Sequence, residues 1–262
     1  MFDVTLFQKH LNTTWLGQDF KYYETIDSTN TYLKKLENND LCHGAVCLAD
    51  FQTGGRGQYK RKWLSKPGEN LIFSMVFCPD TNKRILVLSL LSACAFADVI
   101  EDDYQLKVNI KWPNDLYVKG KKVAGILTET IFSGNKLERI IIGLGFNVNQ
   151  REFEGEVQTK ATSLINELDG QVISREYILQ RALKHIEELY ILWEENNPDL
   201  IKRINKRLIG YGEKVKLSVD GKIADETCTL LGINEEGYIL FLDENLDIVV
   251  YTYQQIRIVD VI

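Results

Sequence analysis

Histidine is scarce in this chain. Only His10, His43 and His185 occur in 262 residues. None lies in a nucleophile-elbow motif, which argues against a Ser-His-Asp hydrolase. Cysteine offers little more. Cys42, Cys47, Cys78, Cys94 and Cys228 are an odd number without a CxxC pair. Cys42-His43 and Cys47 lack the second ligand pair that a zinc site needs. Met1-Phe2-Asp3-Val4 opens no basic and apolar signal segment. Reduced thiols in the cytoplasm are therefore the expectation. The longest apolar run, Ile85 to Ile100, is broken by Ser89, Ser92 and Asp98. It falls short of the roughly 18–20 residues a bilayer span needs, and predicts a buried helix instead. Excess positive charge is also missing. A net charge of −6 does not suit general nucleic-acid binding, so any phosphate site must be local. No GxxxxGK[ST] loop is present. Gly143-Leu144-Gly145 starts like a dinucleotide fingerprint, but Val148 stands where the third glycine belongs.

What is there is ordinary in bulk: 45% hydrophobic and 26% charged residues, enough for one large domain with a small companion. One stretch is not ordinary. Gly54-Gly55-Arg56-Gly57 lies inside Asp50 to Trp63, followed by Lys60, Arg61 and Lys62. Glycine permits positive φ and close backbone approach, and the cations suit a polyanion. Alone, the stretch also fits a solvated hairpin tip.

Along the chain, a short helix is expected within 2–11 and a strand over Phe20 to Thr25. Ser28 is placed to cap a helix of about 29–38. A buried strand from Gly44 to Phe51 leads into the glycine loop, and Asn70 to Phe77 reads as another strand. Thr81 or Asn82 would cap an apolar helix of about 83–101. Val108 and Ile110 lead to Lys111-Trp112-Pro113-Asn114-Asp115, where proline must end or bulge the strand. Leu116 to Glu129 reads as a hairpin turning at Lys119-Gly120, and Arg139 to Asn149 as a strand. Polar loop fills 152–162, and Ser163 to Leu168 allows a helical turn. Ser174 caps a helix of about 175–195, with Ile178, Ala182, Ile186, Leu189 and Trp193 at helical spacing. A second helix spans Asp199 to Ile209. From Gly210 short alternating strands take over (Val215 to Val219, Thr227 to Ile233, Tyr238 to Leu242, Ile248 to Tyr253), as in a small β-barrel. The expected division is 1–209 and 210–262.

Three stretches join small residues or proline to fixed polar groups at strand ends: Gly55 to Trp63, Lys111 to Asp115, and Lys122 to Ile126. Cations for phosphates, a carboxylate for Mg²⁺ and an aromatic ring together suit an ATP site. These stretches, with Ser28-Thr29-Asn30, Gln52 and Gly143 to Asn149, resemble the biotin–protein ligases (biotin–[acetyl-CoA-carboxylase] ligases). The likeness is to the short kind without an N-terminal DNA-binding domain, and it runs from about Tyr23 onward. Lys-Trp-Pro-Asn-Asp, the glycine loop and Lys-Val-Ala-Gly-Ile in this order carry it.

The resemblance implies an α/β fold: a class II synthetase-like mixed-sheet catalytic domain followed by an SH3-like barrel. It implies MgATP-dependent activation of biotin as biotinyl-5′-AMP, then transfer to a lysine of a biotin carboxyl-carrier domain. It puts Lys122 between the carboxylate and the α-phosphate, and Lys111 and Arg61 near the phosphates. Asn114 or Asp115 would help hold Mg²⁺ or the nucleotide, with Asp115 as the metal's carboxylate. Asn147 and Trp63 fall on the nucleotide side. Ser28, Thr29, Asn30, Gln52, Gly55, Arg56 and Gly57 fall at the biotin end. Gly125, Ile126 and Leu127 line the site, and Gly143 and Gly145 would leave room for the bicyclic ring. Where relatives continue with Arg-x-Gly-Arg, this chain has Gln58-Tyr59-Lys60-Arg61, which weakens the expected hold on the adenylate. A lipoate or octanoate ligase of the same catalytic fold is the alternative. No DNA or membrane partner is expected, and both monomers and homodimers fit.

Overall fold

The computed structural model describes residues 1–36, 43–79, 84–252 and 256–262. Two sheets organise them. The larger has seven strands in the order β1-β2-β3-β7-β6-β5-β4. These are β1 (Phe20–Ile26), β2 (Val46–Gln52), β3 (Leu71–Phe77), β4 (Val108–Lys111), β5 (Asp115–Val118), β6 (Lys121–Ser133) and β7 (Lys136–Phe146). Only β1 and β2 run parallel, joined through α2 (Thr29–Lys35), so the sheet is mixed. The smaller, antiparallel sheet is β11-β10-β9-β8-β12. Its strands are β8 (Lys214–Val219), β9 (Lys222–Ile233), β10 (Ile239–Leu242), β11 (Ile248–Tyr251) and β12 (Ile256–Val261).

Side-chain alternation gives the large sheet two unlike faces. Phe73, Met75 and Phe77 of β3 and Ile140, Ile142, Leu144 and Phe146 of β7 point into one core. Two long helices cover them. In α3 (Ile85–Tyr104) every residue from Val87 to Ile100 is buried, as in a helix apolar all round. In α5 (Arg175–Glu194) Ile178, Ala182, Ile186, Leu189 and Trp193 recur on one face, and Ser174 accepts from the Tyr177 N–H as its cap. The opposite face is covered by α2, whose Leu33 meets Cys47, Val76 and Ile141. Beyond that contact the face is thin. It carries Ser74 on β3, Gly143 and Gly145 on β7, and Gly125 on β6, with Ser74 opposite Gly143 and Gly125 opposite Gly145. A hollow is left there.

Short helices complete the layer: α1 (Val4–His10), α4 (Leu164–Glu167) and α6 (Pro198–Asn205). The last ends four residues before the expected Ile209, because Leu208 leaves helical geometry to bridge Ile110. The expected caps Thr81 and Asn82 lie outside the described residues, as do residues 37 and 38 of the expected second helix and Tyr253 of the expected strand Ile248 to Tyr253. Polar contacts tie the small sheet to the β4–β5 turn and to α6. Trp112 Nε1 donates to the Gly237 carbonyl at 3.2 Å, and Ile233 N donates to Asn205 Oδ1 at 2.8 Å. Among the described residues, no helix is long and apolar enough to cross a membrane. Cys47, Cys78, Cys94 and Cys228 are free thiols.

Candidate active site

The hollow is a cavity of about 430 Å³. Its lining draws on the start of α2, the glycine loop, β3, the β4–β5 turn, β6, β7, the 153–161 segment and β12. Every residue expected at the site from the sequence lines it except Gly55.

The glycine loop is a small hairpin. Its start is tied to the end of β1, Thr53 N donating to Ile26 O and Gly54 N to Asp27 O. Arg56 then pairs with Lys62, Gly57 N donates to Arg61 O at 2.8 Å, and Trp63 N donates to Gly55 O at 3.0 Å. A Cβ on Gly55 would lie 2.8 Å from the Trp63 carbonyl. Its missing side chain serves the closure of the hairpin. At the tip, Tyr59 sits at φ 55°, ψ 35°, a strained setting for a residue with a side chain. Its ring faces the Arg257 guanidinium at 5.4 Å, and Arg257 Nη2 donates to its hydroxyl at 3.1 Å. Gln58 lines the cavity beside it.

Closing the hairpin lays Trp63 on the sheet. A Cβ on Gly145 would fall 2.3 Å from the indole, and one on Gly125 would fall 3.1 Å from it. A Cβ on Gly143 would fall 2.1 Å from Asn30 Oδ1. The strand glycines thus make room for Trp63 and Asn30, and they also line the cavity. Among the described residues, the indole Nε1 is buried without a hydrogen-bond partner, and so is Asn147 Oδ1. The other half of the Asn147 amide is fixed, its Nδ2 donating to Thr162 O at 3.0 Å.

At one end the wall is hydrogen-bonded and buried. Ser28, Thr29 and Asn30 are each no more than 4% exposed. Ser28 Oγ accepts from the Thr31 N–H as the α2 cap. Thr29 N donates to Gln52 Oε1 at 2.7 Å, and Thr29 Oγ1 is 2.6 Å from Ser74 Oγ. Ser74 donates to Asn30 Oδ1, and Asn30 Nδ2 donates to Glu129 Oε2 at 2.7 Å. Glu129 also pairs with Lys34. Arg56 Nη2 donates to Thr31 Oγ1 at 2.8 Å.

Elsewhere the wall is cationic. With Arg56 at the border of the hydrogen-bonded end, Arg61, Lys62, Lys111, Lys122, Lys160 and Arg257 line the cavity, against a single carboxylate among the described residues, Asp115. An acidic chain thus keeps a local basic site. Lys122 Nζ lies 2.6 Å from Asp115 Oδ1 and 5.8 Å from the Trp63 ring. The ion pair is close but not aligned as a hydrogen bond, which leaves Asp115 Oδ1 without a directed donor. Lys111 Nζ stands 5.6 Å from the Tyr117 ring. Burial, and then the Asp115 charge, push the Tyr117 hydroxyl above its usual range, so it remains a donor. Asn114 is partly spent on the scaffold, its Nδ2 donating to Ile126 O at 2.8 Å and its backbone carbonyl accepting from Ile126 N.

Sequence reasoning missed Ser74, Tyr117, Glu129, Phe153, Val157, Lys160 and Arg257. Lys160 enters because Lys122 N donates to its carbonyl and Ala161 bridges Lys122. The polar composition of 152–162 gave no sign of this. Arg257 comes from the second sheet.

A family model described as the Biotin/lipoate A/B protein ligase family matches residues 22–147. The chain is 33% identical over 240 residues to the bifunctional ligase/repressor BirA of Bacillus subtilis, covering 90% of this chain and 72% of the relative. It is 31% identical over 183 residues to the biotin–[acetyl-CoA-carboxylase] ligase of Mycobacterium tuberculosis, covering 68% and 66%. Among solved structures, the biotin protein ligase of Aquifex aeolicus in complex with biotin and ATP superposes with a TM-score of 0.79. The identity is 32%, and the match spans 92% of this chain and 99% of that one.

Proposed function

We infer that this chain, which belongs to the biotin/lipoate A/B protein ligase family, is a biotin–protein ligase that binds biotin and ATP and joins them as biotinyl-5′-AMP. The acceptor we propose is a lysine of a biotin carrier domain. One observation carries the reading: a single cavity has a neutral, hydrogen-bonding wall at one end and cations around the rest. A bicyclic urea fits the first and a triphosphate the second.

The chemistry brings two anions together. A biotin carboxylate oxygen attacks the α-phosphorus of ATP, the bond to the bridging oxygen breaks, and pyrophosphate leaves. Lys122 is the cation assigned between them. Its aliphatic stem lies beside Gly125 and the Trp63 ring, and Asp115 holds its ammonium. A fixed charge aimed at the developing negative charge lowers the barrier without taking a proton. Lys111, Arg61, Lys160 and Arg257 surround the departing pyrophosphate in this assignment. Asn147 Oδ1, an acceptor without a donor, suits the exocyclic amine of adenine. Mg²⁺ bound through ATP needs few protein ligands, and Asp115, the carboxylate on the cavity wall among the described residues, would be the side chain to hold it, shared with Lys122. In the second step the carrier lysine attacks the acyl carbon, and AMP and a proton are released.

The proposed division of labour places catalysis in 1–209, with the small sheet of 210–262 lending Arg257. Work in the cytoplasm, where carrier domains and ATP meet, agrees with the free thiols. ATP–pyrophosphate exchange with biotin, lipoate and octanoate, followed by labelling of a purified carrier domain, tests the reading. Biotin alone is expected to support both. Exchange with lipoate and not with biotin overturns it.

A further inference from the structure

The hydrogen-bond chain behind Thr29 has a direction. Glu129, paired with the Lys34 ammonium, offers only acceptors. The Asn30 amide must therefore turn its NH₂ to Glu129 and its Oδ1 to Ser74. Ser74 spends its single hydrogen on that Oδ1. The 2.6 Å contact between Ser74 Oγ and Thr29 Oγ1 then needs Thr29 as the donor. Thr29 has no second hydroxyl hydrogen. Its 3.1 Å approach to Gln52 Oε1 is left without one, and Gln52 Oε1 is held instead by the Thr29 N–H at 2.7 Å. Thr29 and Gln52 both line the cavity. What they offer a ligand is a Thr29 lone pair and the Gln52 NH₂, an acceptor beside a donor. The fold is built around this chain: Gly143, opposite Ser74, lacks the Cβ that would strike Asn30 Oδ1 at 2.1 Å.

We propose that Lys34, Glu129, Asn30 and Ser74 form a positioning relay that locks Thr29 as a hydrogen-bond acceptor, so that the cavity selects a cyclic urea over a ring without polar groups. A urea carries an N–H beside a C=O and meets both Thr29 and Gln52. A dithiolane meets neither, and a wall that must hydrogen-bond rejects what leaves it unpaired. The proposal rests on the biotin reading of this cavity and adds the residues, remote from the ligand, that set its polarity.

Glu129→Gln tests it. An amide at this position can accept as well as donate, so Asn30 can turn over. Ser74 then receives from Asn30 and donates to Thr29, and the Thr29 hydrogen points into the cavity. Binding of biotin and of its two mono-N-methyl derivatives is measured in the wild-type chain, in Glu129→Gln and in Ser74→Ala, with the KM for ATP alongside. In the wild type, one N-methyl derivative is expected to bind roughly tenfold weaker than biotin, the scale of one hydrogen bond. In Glu129→Gln biotin is expected to lose about that factor, the same derivative to change little, and the KM for ATP to hold. In Ser74→Ala the freed Thr29 hydrogen turns to Gln52 Oε1, 3.1 Å away, and Thr29 remains an acceptor, so biotin is expected to bind as in the wild type. Ser74→Ala thus breaks the same buried chain without turning Thr29 around, and the urea unfolding midpoint checks that Glu129→Gln is folded. Unchanged biotin binding in folded Glu129→Gln, or an equal loss in Ser74→Ala, overturns the relay. Equal losses for biotin and its derivatives, or a matching loss for ATP, also overturn it. A wild-type chain that ignores biotin overturns the cavity reading itself, a result distinct from any of these.

Discussion

The two ends of the cavity are built on opposite plans. Around Thr29 the side chains are buried and bonded to one another before any ligand arrives. Around Lys111, Arg61, Lys160 and Arg257 the charges stand apart, several on exposed loop. A neutral group such as a urea ring is recognised by direction, which requires donors and acceptors held still. A polyanion is recognised by charge, which tolerates motion and pulls loose cations inward. The rigid end therefore suits biotin and the loose end ATP, with Trp63 lying across the sheet between them. The loose end is expected to be the one that orders on binding.

The first way to test this contrast is to separate fold from site. Asp98 is 2% exposed and accepts from Arg203 and Arg207, each at 2.7 Å, with His185 nearby. Burial pushes its carboxyl up, but these partners outweigh burial and hold it below the usual value. A depressed carboxyl contributes stability that is full above its unfolded pKa of about 3.9 and is lost as pH falls through the folded one. Asp98→Asn is expected to cost ~3 kcal/mol at pH 7 by urea unfolding, with the gap to wild type closing in acid. Adenylate formation per folded molecule should be unchanged. A selective loss of activity would place this cluster in the site.

Lys122→Ala comes next. It is expected to slow adenylate formation by about 10²–10³-fold, as for one lost oxyanion donor, with biotin binding nearly intact. Pyrophosphate release in a single turnover measures it, and near-normal rates remove Lys122 from its role. Gly145→Val should evict the indole at a cost of ~1–3 kcal/mol, the usual range for overpacking. Tryptophan emission should shift and the KM for ATP rise. If only biotin binding suffers, Trp63 belongs to the rigid end. The smallest effect is expected from Tyr59→Phe, which removes the hydroxyl that Arg257 reaches. A single exposed hydrogen bond is worth ~1 kcal/mol at most, a few-fold in the dissociation rate of biotinyl-AMP. No change there would make the Tyr59–Arg257 contact incidental to the loose end.

Much of this was legible in the sequence, and the exceptions have a common cause. Local signals read well: Ser28 and Ser174 as caps, the apolar run as a buried helix, Lys119-Gly120 as a hairpin turn. Both its residues adopt positive φ. The short strands after residue 210 read as a second sheet. The motifs carrying Lys122, Lys111 and Asn147 were visible because each is a contiguous stretch. Ser74 and Glu129 were not, because each is an unremarkable position in a strand. Register across β3, β7 and β6 brings them to Asn30, and register is not written locally. The glycines at 143 and 145 showed that something approaches the sheet. They could not show that it is Asn30 and Trp63. Tyr59 holds a left-handed conformation without glycine to announce it.

The Tyr59–Arg257 contact joins positions 198 residues apart. At roughly 5–20 residues per second, about ten to forty seconds of synthesis separate the two partners on the ribosome. The strands that carry the hydrogen-bonding end of the cavity are all made by Phe146, and α5, which covers their core face, by Glu194. A chain made that far can bury the sheet and assemble the hydrogen-bonding wall while its glycine hairpin still lacks the arginine it leans on. By this order of appearance the end proposed to hold the vitamin is complete before the end proposed to guard an activated one.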